Sequence, residues 1–212
     1  MVSNMKQTIL DTARRLFTEN GFHNTSMRHI AAALNISVGN LTYHYKKKEE
    51  LIEAIILQEH EKYERIPSPK TLGELNQFFL DAINQKNSRP YYFKHYVELS
   101  QICPNIYEMQ VQVLRDLHDA LGEAFHDFAE NGLLKKEFSR QYQGIISVIM
   151  TFMIHGLPDF YQAREGDEAA LTLHGFWSLL IPCMTDKGRE EFEALKLSLP
   201  LFPPPGSTWA SR

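Results

Sequence analysis

Residues 25–51, TSMRHIAAALNISVGNLTYHYKKKEEL, hold two short helical patterns separated by a tight turn, and the fold follows from them. Asn35 lies between the two patterns, at a position suited to left-handed backbone, since Asn tolerates a positive φ better than most residues. Ser37 is a natural N-cap for the second helix, because its side-chain oxygen accepts a hydrogen bond from the first turn. The pattern predicts a helix-turn-helix, a motif whose second helix enters the major groove of DNA.

The charge is divided unequally along the chain. The whole chain has a formal net charge of −4, but residues 1–48 hold seven Lys and Arg against two acids, a net +5. The other residues hold fifteen Lys and Arg against twenty-four acids, a net −9. A basic segment that coincides with a helix-turn-helix favours a small module that faces phosphates.

Helical periodicity continues on both sides of this stretch. A first helix is predicted over about residues 5–20, with Gly21 as its left-handed C-terminal residue. A fourth helix is predicted over about residues 47–65, and Pro67 breaks the chain after it. Beyond this break the helical segments are predicted over about residues 71–86, 89–102, 105–131, 139–163, 168–184 and 186–197. Alternating strand patterns are missing from the sequence, so the predicted fold class is all-α.

The N-terminal stretch resembles the DNA-binding domain of TetR/AcrR-type bacterial transcriptional regulators. Its most specific part is SVGNLTYHYKKKEEL, residues 37–51, in which Gly39 comes early in the third helix and Tyr43-His44-Tyr45-Lys46 closes it. The resemblance covers about the first 55 residues of the chain. It implies that the remaining three-quarters form a helical domain that binds a small effector and dimerises.

Carried over residue by residue, the resemblance implies three groups of DNA contacts. The start of the second helix, where a helix N-terminus meets phosphate, holds Thr25, Ser26 and Arg28. The base-reading positions of the third helix hold Val38, Gly39, Asn40 and Thr42. Contacts to the DNA backbone are implied for Tyr43, His44, Lys46 and Lys48. Hydroxyl, amide and ammonium groups are the kinds of group that phosphates and groove edges bind.

The predicted domain boundaries combine the Pro67 break with this resemblance. They are residues 1–48 for the helix-turn-helix domain, 49–66 for a linker helix, 67–199 for a helical effector-binding and dimerisation domain, and 200–212 for an irregular Pro-rich tail.

The middle helices are dense in aromatic residues. Rings with a few polar groups among them suit a largely apolar or aromatic effector. The candidate effector-binding residues are Tyr92, Phe93, Tyr96, Tyr107, Phe125, Phe128, Phe152 and His155. Aromatic residues at helical spacing also fill protein cores, so a core role is the alternative for each of them.

The resemblance also implies a homodimer. Two copies of the helix-turn-helix domain, residues 1–48, which we call the head, must lie about one helical turn apart on palindromic DNA. The predicted interface is the pair of long helices over residues 139–163 and 168–184. Its candidate residues are Ile145, Ile149, Phe152, Met153, Leu171, Phe176, Leu179 and Leu180. The alternative is again that these side chains fill the core of a single chain.

The predicted function is therefore a ligand-responsive regulator, a repressor that a small effector releases from palindromic double-stranded DNA. The alternatives are a helical-bundle binding or carrier protein and a metal-dependent helical enzyme. Glu123 and His126 match the Glu-x-x-His pair of di-iron bundles, but such sites need a second pair. His95 and Glu98 stand in the reverse order. We therefore predict that the protein is not an enzyme, and we expect neither a cofactor nor a bound metal.

The sequence also bears on the compartment. Cys103 and Cys183 lie eighty positions apart and form no C-x-x-C pair, which favours two buried thiols in a reducing compartment. The N-terminus lacks the pattern of a secretory signal, and the most apolar run, residues 145–158, is too short to span a bilayer. We therefore expect a soluble cytoplasmic protein without a membrane partner.

Overall fold

Helices make up the regular structure of the computed structural model, which describes residues 2–61, 63–155 and 168–197. The α-helices are α1 (Val2–Asn20), α2 (Met27–Ala33), α3 (Val38–His44), α4 (Lys48–His60), α5 (Leu72–Ser88), α6 (Pro90–Phe93), α7 (Tyr96–Ile102), α8 (Pro104–Glu130), α9 (Ser139–His155), α10 (Glu168–Leu180) and α11 (Asp186–Ala194). Short 3₁₀ helices cover Lys136–Phe138 and Ile181–Cys183. The predicted all-α fold is confirmed.

The chain forms two units. The first unit contains residues 1–68 and 84–121, and the second contains residues 69–83 and 122–212. The domain boundaries predicted at residues 48 and 66 stay a prediction. The predicted tail over residues 200–212 and the predicted helical residues 156–163 lie outside the described residues.

The turns of the head follow the local sequence signals. Gly21 ends α1 with φ 81°, and Asn35 lies between α2 and α3 with φ 55°. Both residues therefore occupy the left-handed region that Gly and Asn tolerate. The Ser37 side chain caps α3 by accepting a hydrogen bond from the backbone N–H of Asn40 at 3.1 Å. These three predictions are confirmed.

One apolar core holds the first unit together. Its buried members from the head and from α4 are Ile9, Leu10, Ala13, Phe17, Phe22, Ile30, Ala31, Leu41, Leu51, Ile52, Ile55 and Ile56. Its buried members from α6, α7 and α8 are Tyr91, Tyr92, Leu99, Cys103, Ile106 and Met109. The helix predicted as a linker therefore shares its core with the head, and residues from later in the chain complete that core.

Helix ends differ from the sequence prediction at four places. Helix α4 ends at His60 and not near residue 65, and α11 ends at Ala194 and not at residue 197. The segment predicted as one helix over residues 89–102 consists of α6 and α7, because His95 leaves the helical region with φ −116° and ψ 19°. The aromatic spacing is helical on both sides of this break, so periodicity alone did not reveal it. Helix α10 ends at Leu180 and not at Met184, and a 3₁₀ turn that contains Pro182 follows. Proline lacks the N–H that would continue the α-helix.

Aromatic rings fill the core of the second unit. The Phe79 ring lies 4.8 Å from the ring of Phe176, and the Trp177 ring lies 4.7 Å from that of Phe192, measured between centroids. Trp177 Nε1 donates a hydrogen bond to Asn76 Oδ1 at 3.0 Å. Helices α5, α10 and α11 therefore meet around one fully buried indole.

Helix α11 begins against the turn that follows α8. Gly132, in the turn after α8, has φ 74°. The Thr185 hydroxyl donates to the carbonyl of Gly132 at 2.6 Å and accepts a hydrogen bond from the backbone N–H of Gly188 at 3.1 Å. A Cβ atom added at Gly188 would lie 2.1 Å from the carbonyl oxygen of Leu133. Only glycine fits at this point.

The residues predicted for a dimer interface divide into two groups. Ile149, Met153, Phe176 and Leu180 are buried inside the chain itself, so for these four the core alternative is the correct one. Ile145, Phe152 and Leu179 are half-buried, and Val148 is 41% exposed. The side chain of Leu171 is outside the described residues.

Both cysteines are free and buried, as the sequence predicts. Burial, together with the negative charges of Glu53 and Glu49, raises the pKa of the Cys103 thiol to about 11. A thiol with so high a pKa is a poor nucleophile. Among the described helices, none is long and apolar enough to cross a membrane.

Candidate nucleic-acid interface

The start of α2 is fixed by a reciprocal cap. The Ser26 hydroxyl accepts a hydrogen bond from the backbone N–H of His29 at 3.2 Å, and His29 Nδ1 accepts one from the N–H of Ser26 at 3.3 Å. His29 therefore has the role that Glu or Gln has in a capping box. His29 is not among the candidate residues from the sequence, although its position three residues after Ser26 is the signal for this role.

Thr25 holds α2 against α1. Its side chain is 1% exposed, and its hydroxyl donates to the carbonyls of Leu16 at 3.2 Å and Gly21 at 2.9 Å. This hydroxyl is therefore occupied inside the head. A contact between Thr25 and DNA, as the resemblance implies, would have to come from its backbone.

Helix α3 buries one residue and exposes most of the others. Leu41 is fully buried in the core, whereas Val38 is 40% exposed and Tyr43 is 85% exposed. Gly39 and Asn40 are exposed, and Thr42 and His44 are half-buried. The Thr42 hydroxyl donates to the carbonyl of Gly39 at 3.1 Å, and the rings of Tyr43 and His44 contact each other at 5.3 Å. The helix is anchored at one point and presents a polar and aromatic surface outward.

Gly39 leaves room on that surface. A Cβ atom added there would meet only the Ser37 hydroxyl oxygen, at 3.8 Å, which is an ordinary contact distance. The packing of the head therefore does not require glycine at this position. A glycine on an exposed helix face lowers helix stability by about 1 kcal/mol relative to alanine, and it permits another molecule to approach the backbone closely.

The positive charge of the head is concentrated beside α2 and α3. Arg14 and Arg15 lie on α1 and pair with acids of α4 and α1 at 3.1 and 2.9 Å. Arg28, Lys46 and Lys47 are exposed, and none of them pairs with an acid that the structure describes. Apart from Lys6 of α1, which is also exposed, the charges that remain available belong to the start of α2 and to the segment after α3.

Lys48 is the exception among the basic residues of that segment. Its ammonium group donates to the carbonyl of Phe22 at 3.0 Å and lies 4.4 Å from the centroid of the Phe22 ring. A second, longer bond reaches the carbonyl of His23 at 3.5 Å. Lys48 thus ties the start of α4 to the loop between α1 and α2. The DNA contact predicted for Lys48 would require it to leave these carbonyls.

Four of the candidate effector-binding residues lie in the first unit. The rings of Tyr92, Phe93 and Tyr96 contact one another, with centroids 5.0–6.3 Å apart. Burial raises the pKa of the Tyr92 hydroxyl to about 12, and the buried Gln110 side chain donates to the backbone carbonyl of Tyr96 at 3.1 Å. Tyr107 is 56% exposed.

The other four lie in the second unit. Phe125 and Phe128 are each 1% exposed and belong to the core. Phe152 is half-buried, and His155, the last residue of α9, is exposed, so the core alternative does not hold for His155. A role in effector binding stays a prediction for all eight residues.

Comparison with known protein families gives a match to the N-terminal part of the chain. A family model described as bacterial regulatory proteins, tetR family, matches residues 9–55, which contain α2 and α3 and most of α1 and α4. Over 54 residues, 26% of this chain, the sequence is 52% identical to the HTH-type transcriptional regulator UidR of Escherichia coli (strain K12). These residues span only 28% of UidR.

Two further similarities extend beyond the head. Over 152 residues, 63% of this chain and 76% of the relative, the sequence is 28% identical to the biofilm operon icaADBC HTH-type negative transcriptional regulator IcaR of Staphylococcus aureus (strain Newman). The crystal structure of a TetR-family transcriptional regulator from Marinobacter aquaeolei VT8 covers 90% of this chain and 96% of its own, with a TM-score of 0.74 and 22% identity. The latter likeness concerns the fold. Residues 9–55 of this chain are therefore similar to the DNA-binding part of the tetR family of bacterial regulatory proteins, and the chain as a whole shares the fold of a TetR-family regulator.

Proposed function

We propose that this protein is a transcriptional regulator that binds double-stranded DNA through α2 and α3. The observation that carries the proposal is the state of α3, which is anchored by Leu41 and Ser37 and leaves Tyr43 85% exposed. One exposed aromatic side chain is ordinary on a protein surface, but Tyr43 shares its short helix with the exposed Val38, and the exposed Lys46 follows that helix. The relatives matched by sequence, UidR and IcaR, are described as transcriptional regulators and not as enzymes.

The exposed groups suggest that some residues contact the phosphates of DNA and others contact its bases. Arg28 and Lys46 offer unpaired positive charge for phosphates, and the Tyr43 hydroxyl offers a hydrogen bond beside them. Val38 and Asn40 lie on the exposed side of α3, where an apolar contact to a thymine methyl and an amide contact to a base edge suit their chemistry. Gly39 lets the DNA approach the helix backbone between them.

Two residues have a different part in this proposal from the one that the family pattern suggests. Thr25 orients the start of α2 through its buried hydroxyl, so that its contribution to phosphate binding comes from the backbone. Lys48 holds the Phe22 carbonyl and contributes to DNA binding only if it exchanges this partner for a phosphate. We therefore expect Arg28 and Lys46 to affect DNA affinity more than Lys48.

The experiment is selection of bound duplexes from a library of random-sequence DNA by the purified full chain, followed by sequencing. The expected result is an enriched palindromic motif whose binding weakens steeply as salt rises, because each phosphate contact releases counterions. Retention of duplexes without an enriched motif would overturn sequence-specific regulation.

Matched variants then test the interface itself. Lys46→Gln and Arg28→Gln should each weaken binding to the selected duplex and to a scrambled duplex alike, and lower the salt slope by about 1. Lys94→Gln removes the same charge from an exposed residue of the first unit outside the helix-turn-helix and should leave affinity unchanged. Equal losses for Lys94→Gln and Lys46→Gln would show that overall charge, and not this interface, determines binding.

We further infer that the protein is a homodimeric repressor that a small, largely apolar or aromatic effector releases from its operator. The name of IcaR, a negative transcriptional regulator, supports repression. The partly exposed apolar side chains of α9, among them Val148, support self-association. Native mass spectrometry of the purified chain tests both points, since it gives the dimer mass and the mass of any retained molecule. A monomer at micromolar concentration would refute the dimer.

The first unit offers a route by which an effector changes the head. Glu59 of α4 lies 3.1 Å from Arg14 of α1 and 3.6 Å from Arg89, and it accepts a hydrogen bond from the hydroxyl of Tyr91 of α6 at 2.8 Å. An effector that displaces α6 therefore acts on α1 through a shared carboxylate and a shared core. Because such coupling is reciprocal, the selected duplex must weaken effector binding by the same factor.

A further inference from the structure

Two histidines and a glutamate converge beside the helix-turn-helix. Glu98 Oε2 lies 3.0 Å from His23 Nε2 and 3.1 Å from His95 Nδ1. The three atoms all lie within 4.8 Å of one another, and the two imidazole rings meet edge to face with centroids 4.5 Å apart. A single carboxylate oxygen therefore faces two imidazole nitrogens.

These donors match a transition-metal ion in type, and the two separations from Glu98 match it in distance. Tetrahedral zinc forms bonds of about 2.0–2.1 Å to imidazole nitrogen and carboxylate oxygen, which holds neighbouring donor atoms about 3.3 Å apart. The two distances to Glu98 are already close to that value, so the two imidazole nitrogens, which lie within 4.8 Å of each other, are the pair that an ion would draw together. Imidazole donors favour zinc, nickel, copper and iron over magnesium and calcium.

The positions of the three residues in the fold also suit such a site. His95 and Glu98 lie three residues apart at the start of α7, so one helical turn fixes their relative positions. His23 lies in the loop between α1 and α2, and Lys48 already binds the carbonyls of Phe22 and His23. The side chains of His23 and Glu98 are partly exposed, which gives an ion a path of entry and leaves room for water as a further ligand.

In contrast to the expectation from the sequence, we propose that His23, His95 and Glu98 bind one divalent transition-metal ion of the zinc type. The two neutral imidazoles and the carboxylate supply one negative charge, so the occupied site is a net cation. The bound ion links the loop that precedes α2 to the first turn of α7, in place of the two hydrogen bonds that Glu98 makes here. Occupancy thereby restricts the segment from which α2 begins.

The experiment is zinc titration of the full chain at mildly alkaline pH after removal of metal with a chelator, followed by isothermal calorimetry. Cobalt serves as a second ion because its absorption spectrum reports tetrahedral coordination. The expected result is one ion per chain. Glu98→Gln and His23→Ala should each weaken zinc binding by more than about tenfold, since the loss of even an outer-shell partner costs that much.

His118→Ala is the matched control. His118 is an exposed histidine of the same unit with Asp119 at 3.4 Å, and so it removes an imidazole beside a carboxylate without touching the proposed site. Zinc binding that is equally tight in Glu98→Gln, or equally weakened in His118→Ala, would overturn the proposal. Melting curves recorded without metal separate lost binding from lost folding.

Hydrogen exchange gives a readout that does not depend on DNA binding. Zinc should slow exchange of the backbone amides of residues 21–26 in the parent protein and leave them unchanged in His23→Ala. Zinc binding without any slowing in this loop would contradict the assignment of His23 as a ligand. Because neither readout uses DNA, failure of the metal site is distinguishable from failure of the proposed function.

Discussion

Gly188→Ala is the substitution whose effect follows most directly from the structure. The added Cβ would lie 2.1 Å from the carbonyl oxygen of Leu133, whereas real Cβ contacts stay beyond 3.0 Å, so the two backbones must separate by about 1 Å. The same Leu133 carbonyl accepts the N–H of Thr185 at 3.0 Å. Separation of these two backbones therefore weakens the hydrogen bonds that hold the start of α11 against the turn after α8.

The magnitude combines two opposing effects. Overpacking against a neighbour that cannot give way costs about 1–3 kcal/mol, and each weakened hydrogen bond adds about 1 kcal/mol. Alanine in a helix regains up to about 1 kcal/mol relative to glycine. We expect a net loss of about 2–3 kcal/mol in the free energy of unfolding, which lowers the melting temperature of a chain of this size by about 4–12 °C.

Gly144→Ala is the matched control for this prediction. Gly144 lies exposed within α9, and a Cβ there meets nothing within 4 Å, so its replacement should raise stability by about 0.5–1 kcal/mol. Both variants and the parent are compared by thermal unfolding at one protein concentration, because dimerisation makes the midpoint depend on concentration. If Gly188→Ala melts at or above the temperature of Gly144→Ala, the close approach of α11 to Leu133 is wrong.

Two further predictions concern the interface and the second core. Gly39→Ala should leave the melting temperature unchanged or slightly higher, because its Cβ has room. The same variant should weaken binding to the selected duplex in an anisotropy titration. Unchanged binding would show that DNA does not approach this backbone. Trp177→Phe should lower the free energy of unfolding by about 2 kcal/mol in urea denaturation, because it loses buried volume and the hydrogen bond to Asn76. Asn76→Ala should produce a smaller loss, and a larger one would show that the indole contributes little.

Much of the candidate site was predictable because its signals are local. Gly21, Asn35 and Ser37 each specify a turn or a cap through their own backbone preference or through a bond to a residue three positions away. The apolar residues that pack inside the head recur at helical spacing. The family resemblance over the same residues agrees with the family match over residues 9–55. The exposed side of α3 is then the side opposite its buried apolar residue.

Other parts of the site depend on contacts between residues far apart in the sequence. The amino-acid sequence places Thr25 and Lys48 among the candidates for DNA contact. It does not reveal that their side chains bind backbone carbonyls of α1 and of the loop after α1. Hydroxyl and ammonium groups bind carbonyls as readily as phosphates. Only the packing of the head decides which partner each of them has.

The same distinction separates the head from the remainder of the chain. Backbone preference, capping and charge act within a few residues, and for this reason the sequence predicts most of the helices, the left-handed turns and the basic head. Packing between distant segments is what gives α4 a common core with α6 and α7 and brings His23 to His95 across 72 positions of sequence. Helical periodicity says which face of a helix is buried, but it does not say which other face buries it.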